Sequence, residues 1–378
     1  MSAERAAGAA TQSRSKNGKE MATDTMQAVV CHGPYDYRVE RITKPQPGPG
    51  ELLVKVGAAG ICASDIKCYT GGPLFWGTNG SGGYCEAPVV AGHEFAGIVE
   101  AMGEGAEERH GVALGDHVVA EQIIPCGHCR FCKAGQYWMC EPHVIFGFKH
   151  QRGEGGMAEY MVYPANSRVH TIDPRVSAAE AAYIEPLACA IHAIDRGEIR
   201  PGDTVVIAGV GNIGLCALQA AKLFNPGQLI ALDTKPKRLE LALRLGADVA
   251  INPIEVDAVA RVKALTGGYG CDVYVEITGN AKAPAQGIEM MRRLGTLVAF
   301  SVLNEPATID WTLIGDQKEL NIHGSHLGPY CYPRAIKAIA DGSIDVKSLI
   351  TAHYPLGDFA TAMEAARGGD NLKTLLIP

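Results

Sequence analysis

The sequence predicts a two-domain α/β protein, an irregular β-rich domain followed by a doubly wound parallel sheet, with the tail returning to the first domain. Three observations carry this expectation. The length of 378 residues exceeds what one compact core usually holds. Between Met26 and about Ala190, short β-rich runs such as QAVVCHG, ELLVKVGAAGI and GDHVVAEQ are separated by Gly and Pro turns. From about Gly202 the texture changes to TVVIAGV, NIGLCALQAAKLF, QLIALD, PKRLELALRLGA, DVYVEIT and GTLVAFSV. That βαβα rhythm requires a parallel sheet covered by helices on both faces. After Leu327 come two helical stretches, YPRAIKAIADG and LGDFATAMEAARGG, and an apolar strand, LKTLLIP. The expected division is 1–25 as a disordered leader, 26–190 as the first domain, 191–327 as the parallel-sheet domain and 328–378 as the return.

Composition narrows the partners. Apolar residues are 47% and charged residues 20%, the balance of a globular protein, and the formal charge is −7. No basic footprint for nucleic acid or an anionic membrane is present, so a small-molecule substrate is expected. The leader has no apolar run that could act as a signal peptide or membrane span, and Glu4, Glu20 and Asp24 count against an organelle signal. The expected location is the cytoplasm. Of twelve cysteines, four crowd into residues 126 to 140, which favours metal binding over a disulfide framework.

Gly209, Gly211 and Gly214 form G-x-G-x-x-G, with Asn212 and Ile213 inside it, directly after the strand TVVIA and directly before a helical run. Such glycines permit a tight turn and let a pyrophosphate approach the helix N-terminus, where free N–H groups and the dipole favour negative charge. Asp233 closes the next strand, where a carboxylate accepts hydrogen bonds from the adenosine ribose hydroxyls and repels a 2′-phosphate. NAD is therefore expected rather than NADP. Arg238 is near enough in sequence to cover the adenine.

Two candidate metal sites differ in character. Cys126, Cys129, Cys132 and Cys140 give C-x2-C-x2-C-x7-C in a turn-rich stretch. Four thiolates close a tetrahedral zinc shell and leave no place for substrate, so this site is read as structural. A second set is dispersed: Cys62 in GICASD, His93 and Glu94 in AGHEFAG, and Glu185 in YIEPLACA. Taken singly, each is more often a packed or hydrogen-bonded side chain than a ligand.

Together, GHEFAGIVEAMGEG, the cysteine-rich loop, GDHVV, GGMAEY and GVGNIG resemble, in order, the zinc-containing medium-chain alcohol dehydrogenases from about Met26 to Pro378. The resemblance implies a GroES-like catalytic domain, a Rossmann domain inserted into it, and a catalytic zinc in the cleft between them. Glutamate in EPLAC, where the ethanol-type enzymes carry cysteine, resembles the sorbitol and polyol branch. Within it, AVVCHGP, GICASDIKCY, FWG, GQYWMCEPH, DVYVEITG and HLGPYC resemble the erythritol/L-threitol dehydrogenases. The implied reaction is NAD-dependent oxidation of a secondary alcohol of a small polyol to the ketose. Sorbitol/xylitol or L-threonine dehydrogenation is the alternative, and a non-enzymatic NAD-binding protein is disfavoured because the ligand set and Ser64 are intact.

Carried over by motif, Cys62 and His93 are zinc ligands, Glu94 and Glu185 compete for the third protein position, and one catalytic and one structural zinc are expected per chain. Ser64 is the first-step proton relay and Asp65 the carboxylate that orients His93, with a simple turn or cap residue as the other reading of Asp65. Lys67 stands where the family usually ends its relay with a histidine. Its ordinary pKa of about 10.4 makes it a poor shuttle near neutrality unless strongly depressed. Phe75 and Trp76 lie in a Gly-rich segment expected to border the pocket, where they either wall one end of a short substrate or anchor the loop to the domain surface, and Ser325 and His326 are expected to line the cofactor cleft. The family is usually oligomeric, and a tetramer or dimer is expected with the last Rossmann strands, near GTLVAFSV, pairing across a two-fold axis.

Overall fold

Along the strand Thr204–Ala208, Val205 and Ile207 face one hydrophobic core while Val206 and Ala208 face another. An apolar run of this kind is buried on both faces, as a parallel sheet requires. The computed structural model describes residues 24–78, 82–149, 154–303, 305–369 and 371–378. In it the strands run in the spatial order Val249–Ile251, Gln228–Leu232, Thr204–Ala208, Cys271–Glu276, Met291–Ala299, Asn321–Gly324, every neighbouring pair parallel. The order reverses at Thr204–Ala208, whose C-terminal end feeds the glycine motif and the helix Asn212–Lys222. Doubly wound sheets bind their ligands at this switch point.

The second large sheet is mixed. Its path is Val169–Thr171, His117–Ala120, Glu94–Met102, Leu52–Ile61, Lys373–Ile377, Ile350–Pro355, with Tyr160–Tyr163 also pairing with Leu52–Ile61. A smaller sheet is formed by Asp36–Thr43, Thr25–Gly33 and Val89–Val90. The chain therefore leaves the β-rich sheet, builds the parallel sheet and comes back, with Thr374 set opposite Ile61 in antiparallel register. The helix Ile184–Arg196 joins the two units and packs on Asn212–Lys222.

Several expectations are corrected in detail. Thr25, assigned to the leader, already opens the first strand, while the rest of the leader through residue 23 lies outside the described residues. The division at 190/191 falls inside the helix Ile184–Arg196, because its apolar face is shared by both units. The helix Tyr332–Ala340 still packs against that helix, so the return is completed only by Ile350–Pro355 and Lys373–Ile377. GTLVAFSV is not at the sheet edge: Met291–Ala299 is paired on both sides, and the open edge is Asn321–Gly324. Among the described residues, no helix is long and apolar enough to cross a membrane.

Close packing at the switch point makes a glycine obligatory. A Cβ on Gly214 would lie 1.8 Å from the Gly209 carbonyl oxygen, a backbone atom that cannot swing aside. Gly214→Ala is expected to destabilise the chain by about 1–3 kcal/mol, the range for overpacking, although alanine is the better helix former. A urea midpoint equal to or above that of the parent chain would contradict this packing.

Candidate active site and metal centres

Cys62 directly follows the strand Leu52–Ile61 and is the N-cap of the helix Ala63–Tyr69. His93 precedes, and Glu94 opens, the antiparallel partner strand, where Glu94 is paired with Gly60. The sheet register thus brings Cys62, His93 and Glu94 together, one ligand atom of each within 4.8 Å of the others. A Cβ on Gly60 would stand 2.0 Å from Glu94 Oε2, so glycine is needed to admit this carboxylate.

The electrostatics of this trio suit a cation. Glu94 is fully buried, its Oε2 is paired with Lys373 Nζ, and its Oε1 has no hydrogen-bond partner. Burial, and then the Glu94 charge, push the Cys62 thiol up. Burial acts to lower the His93 pKa, but Asp65 and Cys62 outweigh it and the net shift is strongly upward. A sulfur, an imidazole and an unpaired carboxylate oxygen form a zinc-type donor set with room for a fourth ligand. Asp65 does two things at once. Its Oδ2 accepts from Cys62 N at 2.8 Å, capping the helix, and its Oδ1 lies 3.3 Å from His93 Nδ1, without the alignment of a full hydrogen bond. That contact leaves Nε2 of His93 for a metal.

Glu185, in the first turn of Ile184–Arg196, lines the same cleft but is not within the compact trio. Its Oε1 accepts from the Gln122 amide and is near the Cys189 thiol, and Tyr332 donates to Gln122 Oε1 at 2.7 Å. Burial, reinforced by the Glu94 charge and opposed by His93, raises the Glu185 carboxyl to about 7. The structure therefore separates the two glutamates that the sequence left in competition.

Ser64 opens on the cleft beside Cys62. Lys67 reaches across it: Nζ donates to the Val302 carbonyl at 2.5 Å, and burial holds its pKa below the ordinary lysine value. Gly211, Asn212, Ile213, Gly214 and Arg238 line the far part of the same cleft, whose volume is about 460 Å³. Gly209 adopts φ +88, and a Cβ there would meet the Ile277 carbonyl at 2.8 Å. Asp233 accepts from Val210 N and Lys235 N, both at 2.9 Å, so in this structure its carboxylate also braces the glycine turn. Arg238 lies 3.9 Å from Asp233 and donates to the Gly369 carbonyl, which ties the two units together.

The thiols of Cys126, Cys129, Cys132 and Cys140 converge within 4.8 Å, and all are free. Backbone N–H groups of Cys126, Cys129 and Cys132 point at the sulfurs of Cys140, Cys126 and Cys129, and such donors stabilise thiolates. Hydrogen bonds from the Cys132 and Glu141 backbone bring Cys129 down to about 6. Four convergent sulfurs satisfy a closed tetrahedral shell.

Of the two expected aromatic residues, Phe75 lines the cleft, whereas Trp76 anchors the loop by donating from Nε1 to the Cys68 carbonyl at 2.7 Å. Ser325 and His326 both line the cleft as expected. Sequence reasoning missed Lys373, Gln122 and Glu276. A single lysine inside the apolar run LKTLLIP was the available signal for Lys373. Glu276 accepts from Thr278 N, Thr278 Oγ1 and Gly279 N, with Ser301 as a further donor, and so holds the loop facing Lys67. Nothing in the local sequence announced Gln122, whose partners come from two distant helices.

Comparison with known proteins follows the same division. Residues 48–174 match the alcohol dehydrogenase GroES-like domain and residues 212–341 the zinc-binding dehydrogenase domain. An erythritol/L-threitol dehydrogenase of Mycolicibacterium smegmatis is 49% identical over 94% of this chain and 98% of its own length. A sorbitol dehydrogenase of Bacillus subtilis is 35% identical, covering 93% of this chain and 97% of its own length. Among solved structures, a zinc-binding dehydrogenase from Sinorhizobium meliloti bound to NADP superposes with TM-score 0.85 at 30% identity, over 94% of this chain and all (100%) of that one.

The double use of Asp65 can be separated by one substitution. Asn in its place keeps an oxygen for the Cys62 N–H but removes the charge facing His93. Asp65→Asn is expected to leave the melting temperature nearly unchanged while weakening zinc retention against a chelator by roughly 10–100-fold. Equal zinc retention in both chains would show that Asp65 is a helix cap alone.

Proposed function

Since this chain belongs to the zinc-containing medium-chain alcohol dehydrogenases, in their polyol branch, we propose that it oxidises a secondary hydroxyl of a four-carbon polyol of the erythritol/threitol type to the ketose, with NAD as acceptor. The observation that carries the reading is the trio of Cys62, His93 and Glu94 at one end of a cleft whose other end is the glycine motif. When bound there, zinc supplies Lewis-acid polarisation of the substrate hydroxyl and the nicotinamide supplies the hydride acceptor.

The residues of the chain do the rest. Cys62, His93 and Glu94 hold the metal, and Asp65 fixes the His93 tautomer. Glu185, whose carboxyl burial raises to about 7, lines the same cleft as a second carboxyl held by Gln122. Ser64 takes the proton from the substrate hydroxyl and passes it toward the cleft mouth. Lys67 does not continue that relay in this reading: its ammonium is committed to the Val302 carbonyl and holds the two walls of the cleft at a fixed separation. The four cysteines hold a second, structural zinc, and their thiolates fit the reducing cytoplasm. Asp233 selects NAD by repelling a 2′-phosphate. Assembly into a tetramer through the open edge Asn321–Gly324 agrees with the exposure of Ile322 there and with Trp311 at 74% exposure.

An amino-acid substrate such as L-threonine would need a cation for its carboxylate near the metal end. The basic side chains lining the cleft are otherwise engaged: Lys67 with Val302, Arg238 with Gly369 and Lys373 with Glu94. Initial rates of NAD reduction by zinc-loaded protein across erythritol, both threitols, xylitol, sorbitol, ethanol and L-threonine test the assignment. Four-carbon polyols are expected to give the highest kcat/KM, and a chelator to abolish the rate. Preference for L-threonine or for a six-carbon polyol would replace the substrate while leaving the mechanism.

Coenzyme choice is tested separately. NAD is expected over NADP, and Asp233→Ser is expected to reduce that preference by roughly tenfold, the loss of about 1.4 kcal/mol of charge repulsion. A parent chain that prefers NADP would overturn the assignment to Asp233.

A further inference from the structure

One wall of the cleft is a continuous run of rings that begins at the metal trio. His93 meets Phe148 at 5.1 Å between centroids, Phe148 meets Phe75 at 5.1 Å, and Phe75 meets Tyr84 at 6.3 Å. Tyr84 meets His143 at 5.1 Å, and His143 stacks on His326 at 5.1 Å with 22° between the planes. His326 returns to the cleft surface next to Ser325 and Leu327. The wall is apolar in its middle and polar at both ends. The near end serves the reacting hydroxyl; the far end has no part in the mechanism above.

The far end is built with unusual economy. Nε2 of His326 and Nε2 of His143 are 3.2 Å apart, so one must carry a proton and the other accept it. The tautomer of one ring then dictates that of the other. The hydroxyl oxygen of Ser325, next to His326 on the cleft lining, is buried and makes no hydrogen bond among the described residues, while half-buried His326 has its Nε2 committed to His143, which leaves Nδ1 as its other ring nitrogen. A cleft that leaves a buried hydroxyl unpaired beside an apolar wall is incomplete until a ligand supplies a hydroxyl.

We propose that His326, its tautomer set by His143, recognises a second hydroxyl of the substrate, remote from the one oxidised. Resting on the polyol reading, this proposal names the residues by which a polyol is told from a monohydric alcohol. An alcohol hydroxyl both donates and accepts, so it satisfies Nδ1 in either tautomer; a methyl group in its place offers no partner to Nδ1 or to the buried Ser325 hydroxyl. His326 is the recognition residue and His143 a positioning residue.

The test is the ratio of kcat/KM for the best four-carbon polyol to that for butan-2-ol, measured on zinc-loaded parent chain, His326→Leu, His326→Gln and His143→Phe. His326→Leu is expected to lower that ratio roughly 10–100-fold, chiefly through KM for the polyol. His326→Gln, which retains a donor and an acceptor, is expected to recover part of it, and His143→Phe, which keeps the stacking, to fall between. A ratio unchanged in both His326 variants overturns the proposal, as does an equal loss with both substrates. If the parent chain turns over butan-2-ol but no polyol, the polyol reading falls and the proposal with it; polyol turnover indifferent to His326→Leu overturns the proposal alone. Should His326→Leu fail to fold, the same ratio in His326→Gln and His143→Phe decides.

Discussion

The buried ion pair between Lys373 and Glu94 is the constraint on which the site depends. Both side chains are almost wholly withdrawn from water, at 1% and 0% exposure. Desolvation of that order is costly for each charge alone, and removing one partner of such a pair generally costs 3–5 kcal/mol. Burial works against the Lys373 charge, but Glu94 and Cys62 more than offset it and hold the ammonium protonated. With Cys62 as thiolate, Glu94 and Asp65 as carboxylates, Lys373 as ammonium and a bound dication, the formal charges cancel. A neutral cluster can sit in a low-dielectric interior where any subset of it would not.

Everything around that cluster follows from placing the pair. Lys373 must come from a strand adjacent to Leu52–Ile61, which is why the tail crosses back to the first sheet. Gly60 must lack a side chain so that Glu94 can turn inward. Asp65 must sit in the first turn of the helix that Cys62 caps, since only there can one carboxylate reach both Cys62 N and His93. The parallel sheet contributes the opposite wall, held in place through Lys67 to Val302 and Arg238 to Gly369.

Much of this was legible in the sequence because the signals were local. The glycine motif, the four cysteines and the apolar strand runs each fall within a few tens of residues, and their periodicity or spacing has one physical reading. Cys62, His93 and Glu94 became legible only through resemblance, because no local pattern says that two strands will bring them together. The competition between Glu94 and Glu185 was undecidable in one dimension: what separates them is Gln122, Tyr332 and Lys373, drawn from three further segments. The domain divisions were misplaced where one helix serves two cores, since amphipathic periodicity marks a buried face but not what buries it. Trp76 shows the same blindness in miniature, for an aromatic on a glycine-rich loop reads alike whether it faces a pocket or pins the loop.

The two candidate metal sites also differ in how much of the chain must be folded before each is complete. The four sulfurs span Cys126 to Cys140, a loop short enough to close as soon as that stretch of chain is free, with little entropy lost. Glu94 and Lys373 are 279 positions apart, and the whole parallel sheet is threaded between them. Contacts of that separation form late, after the intervening unit has found its own fold. A refolding chain can therefore bring the four sulfurs together before Lys373 has reached Glu94. The carboxylate in the trio of Cys62, His93 and Glu94 thus gains its buried counter-ion only when the two ends of the chain have met, whereas the four-cysteine cluster asks nothing of the chain beyond its own loop.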